Sequence, residues 1–109
     1  MATFDDFMKL DIRVGTIISA KVFEKARKPA YQLEVDLGEE LGVKRSSAQI
    51  TDHYKPEDLV GKQVLAVANF PPRQSANFMS ETLVLGTYSE GGVVLITPDK
   101  PVKNGDKLG

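Results

Sequence analysis

The chain has 109 residues, 27% charged and 41% hydrophobic, with a net charge of −1, which describes one small globular domain spanning residues 1–109. It holds no cysteine, which excludes disulfides, thiolate catalysis and cysteine metal sites together. Its apolar runs are short, and the first residues carry two acids with no basic segment before them, so neither a signal peptide nor membrane insertion is expected and the cytoplasm is the predicted address.

Thr3 is placed to cap a short helix in which Phe4, Phe7 and Met8 share a stripe. Asp11 to Phe23 is the clearest strand. Ile12, Val14, Ile18, Ala20 and Val22 fall on one face, and Arg13, Gly15, Ser19 and Lys21 on the other. Ile17 interrupts the polar face, and Gly15 predicts a bulge. Lys21, Lys25, Arg27 and Lys28 then oppose only Glu24.

Tyr31 to Leu37 alternates again, with Tyr31, Leu33, Val35 and Leu37 inward. Gly42 to Gln49 is a polar strand. Its consecutive Lys44 and Arg45 must point to opposite faces. Arg45 shares parity with Ser47 and Gln49 and is predicted to face a groove, which leaves Lys44 with Ser46 and Ala48 on the packing face. Pro56 to Leu59 reads as one helical turn, with Pro at its first position and Gly61 as its stop. Lys62 to Ala68, Thr82 to Thr87 and Gly92 to Thr97 complete six strands, and a Pro- and Gly-rich tail with a turn at Asn104-Gly105 follows. This order predicts an all-β, five-stranded barrel of OB type with short helices and N- and C-terminal extensions.

The connection from Asn69 to Ser80 is the most informative stretch. Turns between strands are normally short and polar, whereas this one holds Phe70, Pro71, Pro72, Phe78 and Met79, with Arg73 as its only charge. Phe70 and Phe78 are either rim residues of the core or the apolar contacts of a partner-binding loop.

No catalytic constellation accompanies this loop. His53 is the only histidine and has neither a second histidine nor a cysteine with which to hold a metal. Gly38 to Arg45 lacks the glycine spacing of a phosphate-binding loop and places Glu39 and Glu40 where phosphates would sit. The sequence therefore predicts a binding protein that is not an enzyme, without cofactor or metal. Arg13, Lys44, Arg45 and Arg73 can supply charge, and Ser46, Ser47, Gln49 and Asn69 can supply hydrogen bonds. Such a set suits single-stranded nucleic acid and an extended peptide equally well.

Asp11-Ile12-Arg13-Val14-Gly15-Thr16-Ile17 resembles the opening strand of the tRNA-binding OB domains, which occur as free proteins and as appendages of aminoacyl-tRNA synthetases. Ala26 to Tyr31, Val35 to Gly38, Ser46 to Thr51, Tyr54 to Glu57, Asn69 to Arg73 and Ser80 to Gly86 extend the likeness. In this order they resemble the CsaA-type secretion-associated chaperones of that family. The resemblance implies a homodimer that binds unfolded or exported precursor polypeptides and the translocation ATPase SecA, with tRNA as a further partner. The alternative it leaves is a structure-specific tRNA-binding protein. The implied peptide- and RNA-binding positions are Lys44, Arg45, Ser46, Ser47 and Gln49 on the third strand and Asn69, Phe70, Arg73, Phe78 and Ser80 on the loop. Asn77 stands where relatives usually have Gly and is expected to take the left-handed backbone conformation there. Glu81-Thr82 replaces a Gly-Met of the tRNA-binding relatives and puts a negative charge beside the expected tRNA contact, which favours peptide.

Overall fold

In chain order the elements are α1 (Phe4–Met8), β1 (Ile12–Val22), β2 (Tyr31–Asp36), β3 (Val43–Ala48), α2 (Pro56–Leu59), β4 (Gln63–Val67), β5 (Arg73–Ser75), β6 (Phe78–Ser80), β7 (Leu83–Val84), β8 (Gly86–Ser89) and β9 (Gly92–Leu95). They are taken from a computed structural model that describes all 109 residues. β1 is long enough to serve two neighbours: its first half pairs antiparallel with β4 from Ile12↔Val67 to Thr16↔Gln63, and its second half pairs with β2 down to Val22↔Tyr31. The sheet runs β3-β2-β1-β4-β7. Its two edges then meet, because the N–H groups of Glu81 and Thr82 both donate to the Arg45 carbonyl, at 2.8 and 3.2 Å. The result is the nearly closed OB barrel that the strand order predicts.

The irregularity in β1 lies between Ile17 and Ser19 rather than at Gly15. That single extra residue inverts the parity read from the sequence. Ile17 becomes a fully buried core residue, while Ile18 is 46% exposed. Gly15 answers to a different constraint. A Cβ there would lie 2.6 Å from Val35 Cγ1, 2.7 Å from Leu37 Cδ2 and 2.9 Å from the Asp36 carbonyl, so β1 and β2 approach too closely for any side chain.

Ile17, Leu33, Val35, Leu37, Leu59 and Val64 form the centre of the barrel, each worth roughly 1.5–3 kcal/mol of burial. Leu59 enters from α2, which begins on Pro56 as expected. The Tyr31 hydroxyl donates to the Tyr54 carbonyl at 2.6 Å, and the Tyr54 hydroxyl accepts from Leu95 N–H at 3.0 Å. These two bonds tie the segment before α2 to β2 and β9. The His53 ring is spent on a turn contact, 3.2 Å from the Glu90 carbonyl.

Two expectations need correction. The connection from Asn69 to Ser80 is not an open loop: it folds into the β5–β6 hairpin, with Ser75↔Phe78 as its last pair. The fifth expected strand is broken at Leu85 into β7 and β8, because Leu85 N–H turns to the Leu65 carbonyl at 2.9 Å. α1 forms as expected, with Phe4 70% exposed on its stripe. The helix holds through a capping box, in which Thr3 N–H and hydroxyl meet Asp6 and keep its carboxyl below the usual range. No helix is long and apolar enough to cross a membrane.

Candidate functional site

β3 sends Arg45 and Ser47 outward, with exposed Gln49 just past its end, while Ser46 and Ala48 are buried. This is the parity expected from their spacing. The β5–β6 hairpin lies against that outer row. Ser47 N–H donates to Ser80 Oγ at 3.1 Å, and the same hydroxyl donates to the Thr82 carbonyl at 3.3 Å. Between β3, the hairpin and β7 opens a cleft of about 320 Å³. Its walls are Ser47 from β3 with Gln49 just beyond it, Arg73 and Ser75 from β5, Ser80 from β6, and Glu81 and Thr82 from the segment that closes the barrel. Phe70, Pro71 and Leu83 make its apolar side. Phe70 and Leu83 are each 44% exposed, a cost in water that a ligand would remove.

The charge of the cleft is balanced. Arg73 and Glu81 are the only charged residues lining it, and Arg73 forms no ion pair. Arg45 stands just outside. Its guanidinium carbon lies 5.2 Å from the Phe78 ring centroid, and its Nε is 3.5 Å from Glu81 Oε1.

Five of the predicted site residues thus converge on the cleft: Ser47, Gln49, Phe70, Arg73 and Ser80. The others have different places. Arg13 sits at the far end of β1, where it is bonded to Asp11, Glu40 and the Gly105 carbonyl. The two carboxylates, Asp11 first, raise its pKa above the ordinary arginine value. Asn69 lies outside the cleft and ties two segments together: its Oδ1 accepts from Asp11 N–H at 2.9 Å and its Nδ2 donates to the Lys9 carbonyl at 2.8 Å. Lys44 is half-buried opposite Val35 and outside the cleft. Ser46 is fully buried, and its hydroxyl has no partner.

Phe78 resolves to the core alternative. It is 7% exposed and packs with Phe23 and Ala30 in a second small cluster, its ring centroid 5.5 Å from that of Phe23. Asn77 does not take the left-handed conformation expected of it; Ala76 does, at φ 49°. Leu83 and Ser75 are cleft residues that sequence reasoning did not assign. Leu83 lies in an apolar run and gave a hydrophobic signal without a location, and Ser75 gave no signal at all.

Residues 12–107 match the family described as "Putative tRNA binding domain". The chaperone CsaA of Bacillus anthracis superposes with a TM-score of 0.93 at 54% identity, covering 100% of this chain and 99% of that one. CsaA of Picrophilus torridus superposes with a TM-score of 0.95 at 51% identity, with both chains fully covered. The methionine–tRNA ligase of Parabacteroides distasonis is 46% identical over 107 residues, which is 96% of this chain but 15% of the ligase. The chain therefore spans only about 15% of the length of the curated relatives it matches. An OB barrel whose matched region covers β1 through the C-terminal extension, with full-length structural agreement, places this chain in the tRNA-binding domain family.

Proposed function

We propose that the protein is a non-catalytic chaperone that holds a segment of unfolded polypeptide in the cleft between β3, the β5–β6 hairpin and β7. The observation that supports this reading is the composition of the cleft: exposed Phe70 and Leu83 with Pro71 on one side, hydrogen-bonding Ser47, Gln49 and Ser80 on the other, and one cation balanced by one anion. An extended peptide needs apolar pockets for alternate side chains and polar groups for its backbone. A phosphodiester chain needs net positive charge, which this cleft lacks. What the sequence resemblance implies extends the proposal to exported precursor polypeptides and the translocation ATPase SecA, in the cytoplasm, with the chain acting as a homodimer. Tyr88, fully exposed on β8, and Val94, 39% exposed on β9, are the apolar surface that such a dimer would cover. A fluorescently labelled unfolded precursor should bind the wild-type protein and be competed by the same precursor unlabelled. Light scattering at micromolar concentration should give twice the monomer mass. Absence of precursor binding would overturn the chaperone reading, and a monomer mass would overturn the dimer.

A second reading, tRNA binding, is supported by the family match over residues 12–107. If it holds, its charge must come from outside the cleft. Titration of labelled tRNA in low salt tests it directly.

A further inference from the structure

Asn104 is the only asparagine of the chain followed by glycine; Asn69 and Asn77 each precede phenylalanine. An asparagine side chain is a latent electrophile, because the main-chain nitrogen of the next residue can close a cyclic imide on its amide carbon. A glycine in that next position leaves the nitrogen unshielded. The surroundings of Asn104, itself half-buried, sharpen this chemistry. Its Oδ1 accepts from Thr16 Oγ1 at 2.8 Å and from Gln63 Nε2 at 3.1 Å. These two donors draw electron density from Cγ and stabilise negative charge forming on the oxygen. Its Nδ2, the leaving group, donates to no group of the protein.

The same residue forms the corner at which the C-terminal strap turns onto β1. Asp106 N–H closes the turn on the Lys103 carbonyl at 3.1 Å, with Gly105 at φ 95°. Gly105 N–H then donates to the Val14 carbonyl at 2.7 Å, Val14 N–H to the Asp106 carbonyl at 2.9 Å, and Leu108 N–H to the Ile12 carbonyl at 2.8 Å. The strap thereby covers the edge of β1 that β2, which pairs only from Thr16 onward, leaves open. The corner has no spare room. A Cβ on Gly38 would lie 2.5 Å from the Asn104 carbonyl oxygen, and one on Gly105 would lie 2.9 Å from the Leu37 carbonyl oxygen. Leu37 is itself a fully buried core residue.

We propose that Asn104-Gly105 is a site of spontaneous modification whose isoaspartyl product releases the C-terminal strap from β1. The Gly105 nitrogen attacks Asn104 Cγ and gives up its proton; the bond from Cγ to Nδ2 breaks, and ammonia leaves with that proton. Water then opens the cyclic imide at either of its carbonyls. Opening at the former side-chain carbonyl yields an ordinary aspartate. Opening at the main-chain carbonyl yields isoaspartate, in which the chain runs through the side chain and is longer by a methylene. The aspartyl product keeps the corner, because a carboxylate oxygen accepts from Thr16 and Gln63 as the amide oxygen did. The isoaspartyl product lengthens the main chain where Leu37 and Gly38 leave no space, and so shifts Gly105 and Asp106 off Val14. The bond from Gly105 N–H to Val14 must open before the attack. As the net worth of one backbone hydrogen bond, it slows the reaction by roughly two- to tenfold.

The experiment is ageing of the folded wild type at mildly alkaline pH, followed by peptide mapping with mass spectrometry, labelling with isoaspartyl methyltransferase and anion-exchange separation of the products. Asn104 should deamidate first, within about tenfold of its rate in the guanidinium-unfolded chain, while Asn69 and Asn77 stay intact over the same period. The isolated isoaspartyl form should show a lowered urea midpoint and faster amide exchange at Val14, Gly105 and Leu108. Asn104→Asp carries the same added charge on an ordinary main chain and should keep the wild-type midpoint and exchange. Deamidation of Asn104 no faster than that of Asn69 or Asn77 would overturn the site. An isoaspartyl form as well protected along β1 as Asn104→Asp would overturn the release of the strap. An equal loss of protection in both would assign the effect to charge and overturn it as well.

Discussion

Arg45 and Glu81 are joined through main chain and side chain at once. Glu81 N–H donates to the Arg45 carbonyl at 2.8 Å, Arg45 N–H donates back to Glu81 Oε1 at 3.0 Å, and the guanidinium Nε reaches the same oxygen at 3.5 Å. The pair closes the barrel and also pairs Arg45, the cation just outside the cleft, with a carboxylate of the cleft wall, so closure and charge at the rim meet in the same two residues.

Glu81→Gln separates these roles. The amide oxygen can still accept from Arg45 N–H, so the seam should hold and stability should change by less than about 0.5 kcal/mol, as for most surface substitutions. The guanidinium loses its counter-charge. Affinity for tRNA should rise roughly two- to fivefold in low salt, and the salt slope should steepen by up to about one contact. Anisotropy titrations at several salt concentrations measure both. An unchanged slope would mean that Arg45 contributes no charge to any ligand.

Phe78→Ala should act on folding. The ring is the largest contribution from the hairpin to the second cluster, against Phe23 and under Arg45. Truncating a buried phenylalanine costs about 3–5 kcal/mol. The lower end is expected here, because the cluster is small and close to the surface. Urea unfolding of the variant is the measurement, and a loss below about 1 kcal/mol would show that the hairpin does not depend on this contact.

Phe70→Ala should do the reverse. Its ring is half-exposed on the apolar side of the cleft, so folding stability should move by less than about 0.5 kcal/mol. Affinity for an unfolded precursor should fall by about 1–2 kcal/mol, roughly five- to thirtyfold, as for an aromatic anchor that a ligand covers. Unchanged precursor affinity would move the peptide site away from this cleft.

The contrast between the two phenylalanines marks how far the sequence could be read. Alternation in Tyr31 to Leu37 and the Pro56 turn gave β2 and α2 directly, because a period of two and a proline at a helix start are local signals. The outward row of Arg45, Ser47 and Gln49 followed from parity alone. What was illegible was non-local. A bulge at Ile18 exchanges the faces of β1, and nothing within Ile17-Ile18-Ser19 announces which residue is extra. Phe70 and Phe78 have the same chemistry in the same segment, and only the presence of Phe23 beside the hairpin separates core from surface. The places of Asn69 and Arg13 away from the cleft were illegible too, because polar side chains that tie distant segments together have no sequence signature. Their partners lie far along the chain, Asp11 and Lys9 for Asn69 and Glu40 and Gly105 for Arg13.

The hairpin tip offers the last test. Ala76 sits at φ 49° between Ser75 and Phe78, which close the turn as a pair. A left-handed backbone costs an L-residue roughly 1–2 kcal/mol, and glycine would remove that cost while loosening the unfolded chain by about 0.4–1 kcal/mol. Ala76→Gly should therefore stabilise the protein, by up to about 1 kcal/mol. Asn77, in spite of its tolerance for this conformation, should give nothing when changed to Gly, because its φ is negative and only the entropy penalty remains. The gain should register in global unfolding and not merely in fraying of the tip, since Phe78 is buried with Phe23 and Ser80 is bonded to Ser47. The urea midpoint should rise for Ala76→Gly and stay level or fall for Asn77→Gly. The opposite order would assign the turn to the wrong residue.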